Sequence, residues 1–185
     1  MTFGIVGRGI IGNVLNNYFK KREIKTVIND LPLGLEDNFA GVSGIFICLP
    51  APVLPGRSID LLIIADRITK FRSHQVPFFL RTTVTPGIAD EFSESFGVHV
   101  VSMPEFLTER TSEHDIEKQS LAAGTESFPE HKELIHNLFK GKPILDRTNI
   151  ECELGKLYHN TRMTVQAGFN NIWSMLSEKH NISLN

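Results

Sequence analysis

Gly7-Arg8-Gly9-Ile10-Ile11-Gly12 is a G-x-G-x-x-G run close to the start of the chain. Glycine at these three spacings permits a tight turn, close approach of the backbone to a pyrophosphate, and close packing of a helix on a strand. A helix opening at such a run turns the free N–H groups of its first residues, Ile10 and Ile11 among them, toward an anion. Asp30 follows Gly7 by 23 positions, where an acid can take ribose hydroxyls. A carboxylate at that place also repels a 2′-phosphate, so the pattern points to NAD rather than NADP as cofactor. The plainer alternative is that the glycines only tighten a turn and that Asp30 caps a loop. Arg8, between the glycines, is either a solvated side chain or a further contact to the pyrophosphate.

A second set of residues could act on a substrate. Lys156 and Asn160 are four apart, which puts them on one helix face. Thr164, Gly168 and Asn171 extend that polar stripe. A cation and an amide donor side by side would suit a developing alkoxide, although read alone such a pair is ordinarily a solvated helix face. Cys48 and Cys152 lie about a hundred positions apart with neither zinc spacing nor a disulfide framework. The seven histidines show no metal-ligand spacing, and His131 with His136 reads as helix surface. No metal is therefore expected.

The elements that must position these groups alternate between strand and helix. Thr2 to Val6 reads as a strand, Gly9 to Arg22 as an amphipathic helix, and Ile24 to Ile28 as a second strand ending at Asn29-Asp30. Residues 31 to 43 read as loop. Gly44 to Leu49 is an apolar run of the kind covered on both faces. Ser58 should cap a helix reaching about Arg72. Pro77 to Arg81 should be a buried strand, and Pro86 should open a short helix ending near Gly97. Val98 to Val101, Gln119 to Ala123 and Pro143 to Leu145 read as strands, with a helix over Pro129 to Lys140. From about Asn149 to Lys179 only Gly168 interrupts a helical pattern. This order predicts an α/β, Rossmann-type, doubly wound and mostly parallel sheet with a long C-terminal helix. Residues 1–148 would form the dinucleotide-binding domain and 149–185 a connecting and dimerisation helix.

Composition narrows the classes further. The chain has 185 residues, 41% hydrophobic and 22% charged, which is globular composition. Its formal net charge of −2 gives no electrostatic case for nucleic acid or an anionic membrane. No apolar run approaches the ~20 residues that span a bilayer, and no secretory leader precedes the first strand. A reduced, cytoplasmic protein is the expectation.

Four further segments resemble the nucleotide-sugar dehydrogenase family, the UDP-glucose and GDP-mannose 6-dehydrogenases. FICLPAP at 46–52 is similar to that family's strand ending in V-P-T-P, and RTTVTPG at 81–87 to its S-T-V-x-x-G segment. SMPEFLTER at 102–110 resembles P-E-F-L-R-E-G, and ECELGKLYHN at 151–160 resembles the E-L-x-K-x-x-x-N helix. The resemblance covers essentially the whole chain. It implies that Leu49, Pro50, Ala51 and Thr83 line the cofactor, with Thr83 also a catalytic-site residue beside the nicotinamide and the active-site water. It further implies that Lys156 and Asn160 stabilise oxyanionic species, that Glu105 is the P-E-F-L glutamate, and that Glu109 assists water attack on a thioester. Read alone, both glutamates would be surface carboxylates.

The family oxidises a sugar alcohol to a carboxylate with two NAD molecules and a covalent thioester. The motif order runs out at Asn185, before that family's G-G-x-C segment and its nucleotide-sugar domain. Ala51, Thr108 and Arg110 replace the threonine, arginine and glycine of the family motifs, and loop 31–43 is shorter. An element at that sheet edge should therefore be lost, and the chain alone should not complete the four-electron oxidation. Three readings stay open: an oxidoreductase acting on a sugar nucleotide or a small hydroxy acid, a non-catalytic NAD-binding sensor or partner subunit, and an interaction remnant. The first includes a two-electron, hydroxyacid-type reaction through Lys156 and Asn160. An apolar stripe of Leu154, Leu157, Val165, Ile172 and Leu176, with Trp173 and Met175, predicts a homodimer through the terminal helix.

Overall fold

β1 (Thr2–Val6) is flanked by two parallel neighbours, β2 (Lys25–Asp30) and β4 (Ile45–Ile47). Beyond β4 come β5 (Phe78–Leu80) and β6 (Val100–Ser102), also parallel, and beyond β2 comes the two-residue antiparallel strand β3 (Leu35–Glu36). The sheet order is therefore β3-β2-β1-β4-β5-β6. A separate parallel pair, β7 (Leu121–Ala123) and β8 (Ile144–Asp146), completes the strands. These assignments come from a computed structural model, which describes residues 1–56 and 58–183.

Period-two alternation explains why helices cover both faces. Phe3, Ile5, Phe46, Phe79 and Val101 point one way, into a core shared with α1 (Ile10–Lys20), α4 (Ser112–Lys118) and α5 (Lys132–Leu138). Val6, Ile45, Ile47, Phe78, Leu80 and Val100 point the other way, toward α2 (Leu62–Phe71) and α3 (Ile88–Phe96). Wound on both faces around a parallel sheet, the architecture is the expected α/β one. Chain order reverses at the β1/β4 boundary, where sheets of this type hold ligands beyond the carboxyl ends of the strands. α6 (Asn149–His180) is 32 residues long, and the last two residues of the segment expected to follow β8, 184 and 185, lie outside the described residues.

Several boundaries differ from expectation for local reasons. The edge segment keeps a strand: Asp30 caps a 3-10 turn at Leu31–Leu33, and the chain reverses to pair Leu35 with Asp30. α2 begins at Leu62, three residues later than a cap at Ser58 suggests, because Val53 and Ile59 form an antiparallel bridge and Asp60 Oδ1 accepts the N–H of Leu62 at 3.0 Å. α3 begins at Ile88, two residues past Pro86. The helix expected over Pro129 to Lys140 splits into a 3-10 turn, Pro129–His131, and α5. α4 shows no usable periodicity, since Ile116 is its one buried apolar residue.

Candidate functional site

Each glycine of the loop has its own reason. Gly7 has φ +89°, and a Cβ on it would stand 2.6 Å from the Cys48 carbonyl oxygen. A Cβ on Gly12 would stand 1.9 Å from the Gly7 carbonyl oxygen, so α1 can lie this close to β1 only without a side chain there. A Cβ on Gly9 would meet nothing within 4 Å. The fold requires the first and third glycines and leaves open space at the second. Gly9 is also the N-cap of α1, with no side-chain cap and no acid in the first turn, so the helix offers its free N–H groups and positive end to an anion.

Two clefts meet at this loop. One, about 480 Å³, is lined by Gly7, Arg8, Gly9, Asp30, Leu33 and Arg67 among others. Its neighbour, about 450 Å³, is lined by Ile10, Ile11, Ala51, Arg81, Thr83 and Glu105 among others. Gly9, Cys48, Leu49 and Pro50 belong to both walls. Eleven of the residues expected to touch a cofactor or substrate can be followed here. Gly7, Gly9, Asp30, Leu49 and Pro50 border the first cleft, while Ile10, Ile11, Ala51, Thr83 and Glu105 border the second. Gly12 sits behind the loop as a packing residue. A dinucleotide divides in the same way, into two nucleoside halves joined at a pyrophosphate, and the open space at Gly9 leaves room for that junction.

Asp30 does both things the sequence allowed. Its Oδ1 accepts the Leu33 N–H at 3.2 Å as a loop cap, and its Oδ2 accepts the Arg8 N–H at 2.5 Å, tying β2 to the glycine loop. Two carboxylate oxygens carry about four acceptor sites, so capacity for ribose hydroxyls remains. The same cleft holds two cations, Arg8 and Arg67. Arg67 pairs with Asp66 at 2.7 Å, and its Nη1 is buried with no partner among the described residues.

The other end of the second cleft is made of side chains. Lys156, 5% exposed, donates to Glu105 Oε1 at 3.1 Å, and Glu105 Oε2 accepts the Leu107 N–H at 2.6 Å. Lys156 Nζ also lies 5.4 Å from the Phe106 ring centroid. Glu105 thus stands between Lys156 and the cleft. Arg81, which follows β5, is 4% exposed, and its Nε and Nη1 have no partner among the described residues. Burial pulls its guanidinium down from the ordinary arginine value, opposed by Cys48 and Glu105. Thr82 Oγ1 donates to the Leu49 carbonyl at 2.7 Å and so holds the two strand ends together at the cleft mouth.

α6 is fixed where Lys156 needs it. Thr148 and Glu151 form a reciprocal capping box. Asn149, fully buried, accepts the Ser102 N–H at 2.7 Å and donates to Asp90 and the Val100 carbonyl at 2.7 and 2.9 Å. Glu153 accepts the N–H groups of Gly87 and Ala89 at 2.6 and 2.9 Å, capping α3 from another helix; burial pushes its carboxyl up against the pull of those bonds.

The remaining expectations are not gathered at this corner. Asn160 is exposed on α6, and Glu109 is exposed in a 3-10 turn; neither borders a cleft described above. Burial pushes both thiols, Cys48 and Cys152, up to about 12, so each is a protonated, poor nucleophile at neutral pH. Sequence reading missed Arg81, Asn149 and Glu153. A charge placed directly after the apolar run of β5 was the signal for Arg81, since strand ends carry the sites in such sheets. Glu153 is the glutamate of the E-L-x-K segment, to which no role was given, and no local signal marked Asn149.

No protein-family model matches the sequence, and no curated protein sequence matches it either. Solved structures do match. A UDP-glucose dehydrogenase from Pyrobaculum islandicum superposes with a TM-score of 0.81 at 20% identity, over 98% of this chain and 54% of the other. An imine reductase variant from Myxococcus stipitatus in complex with NAD+ gives 0.72 at 12% identity, over 99% and 67%. A 3-hydroxyisobutyrate dehydrogenase from Mycobacterium tuberculosis gives 0.70 at 15% identity, over 99% and 67%. These likenesses establish the Rossmann-type fold with its appended helix. The chain spans about half the length of the nucleotide-sugar dehydrogenases it matches. No helix among the described residues is long and apolar enough to cross a membrane.

Proposed function

We propose that the protein binds NAD across the two adjoining clefts and works as an oxidoreductase-type module resembling the NAD-binding part of the nucleotide-sugar 6-dehydrogenases. One observation carries this reading: the fold requires glycine at Gly7 and Gly12 but leaves the space at Gly9 free, where a pyrophosphate would lie. Asp30 would hold the adenosine ribose and disfavour a 2′-phosphate, while the first turn of α1 would hold the pyrophosphate. Leu49, Pro50, Ala51 and Thr83 would face the nicotinamide half. Bound there, NAD supplies a hydride acceptor for a CH–OH group. Glu105, with Lys156 at 3.1 Å behind it, gives that group a site for the alcohol proton at the cleft wall.

A two-electron exchange on a sugar nucleotide or a small hydroxy acid suits this corner better than a thioester route, since Cys152 is buried and the thiol of the half-buried Cys48, like that of Cys152, is pushed up to about 12 and held protonated. A second reading, a non-catalytic NAD-binding sensor or partner subunit in the cytoplasm, draws on the exposure of Asn160 and Glu109 away from the clefts. Under either reading the long helix supports a homodimer, because Val165, Phe169, Ile172 and Trp173 are exposed along it.

Calorimetric titration with NAD and NADP tests the cofactor assignment. Binding of NAD, preferred over NADP and lost in Gly9→Val, is the expected result. Equal affinity would overturn the role given to Asp30, its repulsion of a 2′-phosphate being offset by Arg8 and Arg67 in the same cleft. NADH formation, screened over sugar nucleotides and small hydroxy acids with Lys156→Met as control, then separates enzyme from sensor.

A further inference from the structure

His99 immediately precedes β6, whereas Glu130 and His131 close the 3-10 turn before α5. They meet at the amino-terminal edge of the parallel sheet, opposite the edge that carries the glycine loop. His99 Nδ1 lies 2.9 Å from His131 Nε2 and 3.2 Å from Glu130 Oε1, and the three donor atoms all lie within 4.8 Å of one another. We propose that His99, Glu130 and His131 form a zinc site with an open fourth position.

The chemistry and the spacing both fit. Two imidazole nitrogens and a carboxylate oxygen are a zinc donor set of the kind that leaves a fourth position for water. Donors about 2.0–2.1 Å from a tetrahedral ion stand about 3.3 Å from one another. The separations from His99 Nδ1, 2.9 Å to His131 and 3.2 Å to Glu130, need only a few tenths of an ångström of opening, and the Glu130 and His131 donor atoms lie within 4.8 Å of each other. Both ring nitrogens must act as lone-pair donors, which requires neutral imidazoles.

The ligands are also held in place before any ion arrives. The Phe128 ring stacks on His99 with centroids 4.6 Å apart, and the His131 N–H donates to the Phe128 carbonyl at 3.1 Å. On the strand side, the His99 carbonyl accepts the Phe78 N–H at 2.8 Å. Both His99 and Glu130 are about half exposed, at 47% and 52%, so an ion has an entry path and a water can fill the fourth position. A small cavity of about 110 Å³, lined by Gln75, Pro77, Gly97, His99 and His131 among others, borders the site. An ion here would clip the start of β6 to the turn before α5. The proposal is independent of the cofactor reading.

Tag-free full-length protein, stripped with a chelator, is titrated with ZnCl2 by calorimetry and with CoCl2 by visible absorption. One Zn2+ per chain, a higher melting temperature with zinc, and the intense d–d band of tetrahedral Co2+ are expected. His131→Gln and Glu130→Gln should each weaken zinc binding by roughly tenfold or more. His136→Gln, altering a histidine that faces Asp146 at 3.0 Å elsewhere on α5, should leave it within about twofold. Melting curves of the metal-free variants show that each is folded. No saturable binding at one ion per chain, or undiminished binding in both His131→Gln and Glu130→Gln, would overturn the site.

Discussion

The glycine loop and the terminal helix are the two features that stand out in this chain, and they are built in opposite ways. The loop is backbone: two glycines touch carbonyl groups across gaps that no side chain could share, and a third leaves space. α6 is side chain, and it changes character along its length. Asn149, Cys152, Glu153 and Lys156 are its buried residues, and no residue from 157 to 180 is buried. The first two turns are bonded to β6 and α3, and the rest stands free of the sheet. A site made of backbone is complete within a dozen consecutive residues. A site made from the start of α6 needs partners from β5, β6, α3 and the loop after β6, so it exists only once the whole sheet has formed.

The largest expected effect lies in the loop. Gly12→Val forces a Cβ toward the Gly7 carbonyl, where even an alanine methyl would stand at 1.9 Å. Overpacking of this kind costs about 3 kcal/mol or more, so denaturant melts should show severe destabilisation and calorimetry no NAD binding. Gly9→Val sharpens the contrast within the same motif. Its side chain meets open space, so stability should change by only about 0.5 kcal/mol while NAD binding disappears. Equal loss of stability in both variants would mean that the middle glycine serves packing and not a ligand.

Next in size is the anchor of α6. Glu153→Ala strips the N–H groups of Gly87 and Ala89 of their acceptor in a buried setting. Unsatisfied buried donors cost about 1–3 kcal/mol each way such a group is orphaned, and urea melts should show a loss of that order. The same variant should disturb Lys156, one turn further along, more than it disturbs NAD binding.

This division also explains what the sequence disclosed. The β1–α1–β2 unit was legible because glycine spacing, an apolar helix face and Asp30 all lie within thirty residues and agree with one another. The pairing of Lys156 with Glu105 was not readable from spacing alone; both residues were singled out by the family resemblance, and 51 positions separate them. Asn149 and Glu153 look like ordinary polar helix residues until β6 and α3 are beside them. α4 and the edge strand β3 were hidden for another reason: seven residues with one buried apolar side chain, or two residues in all, carry no period to read.

A smaller, pH-dependent effect tests the strand that leads into α6. Burial of Asp146 opposes its ionisation, but hydrogen bonds from Thr125, His136 and Lys132 outweigh that and hold the carboxyl well below the usual carboxylate range. A depressed folded-state pKa adds stability above the unfolded value of about 3.9 and loses it as pH falls toward the folded value. Asp146→Asn should therefore be less stable than wild type at neutral pH, and the gap should narrow as the pH drops below about 4. A gap that stays constant through acid would assign the role of Asp146 to packing rather than charge.

The smallest effect on the fold is expected at the far end of α6, and it carries the most information about assembly. Val165, Phe169, Ile172 and Leu176 are 66%, 59%, 58% and 42% exposed, and Phe169 and Trp173 meet edge to face with centroids 6.0 Å apart. Replacing exposed side chains rarely alters stability by more than about 0.5 kcal/mol, so Ile172→Asp with Leu176→Asp should melt like wild type and bind NAD equally well. Association should respond instead. Burying about 800 Å² per partner makes an interface of standard size, and a two-fold pairing of identical helices is the commonest closed arrangement. Wild-type protein should sediment at about twice 20.8 kDa, and the double variant at the monomer mass, because each dimer would bury four new carboxylates against apolar side chains. A wild type that sediments as a monomer would sink the homodimer and point to a different chain on this helix. A double variant that remains dimeric would move the interface off these residues while leaving the contrast between the anchored and the bare halves of α6 intact.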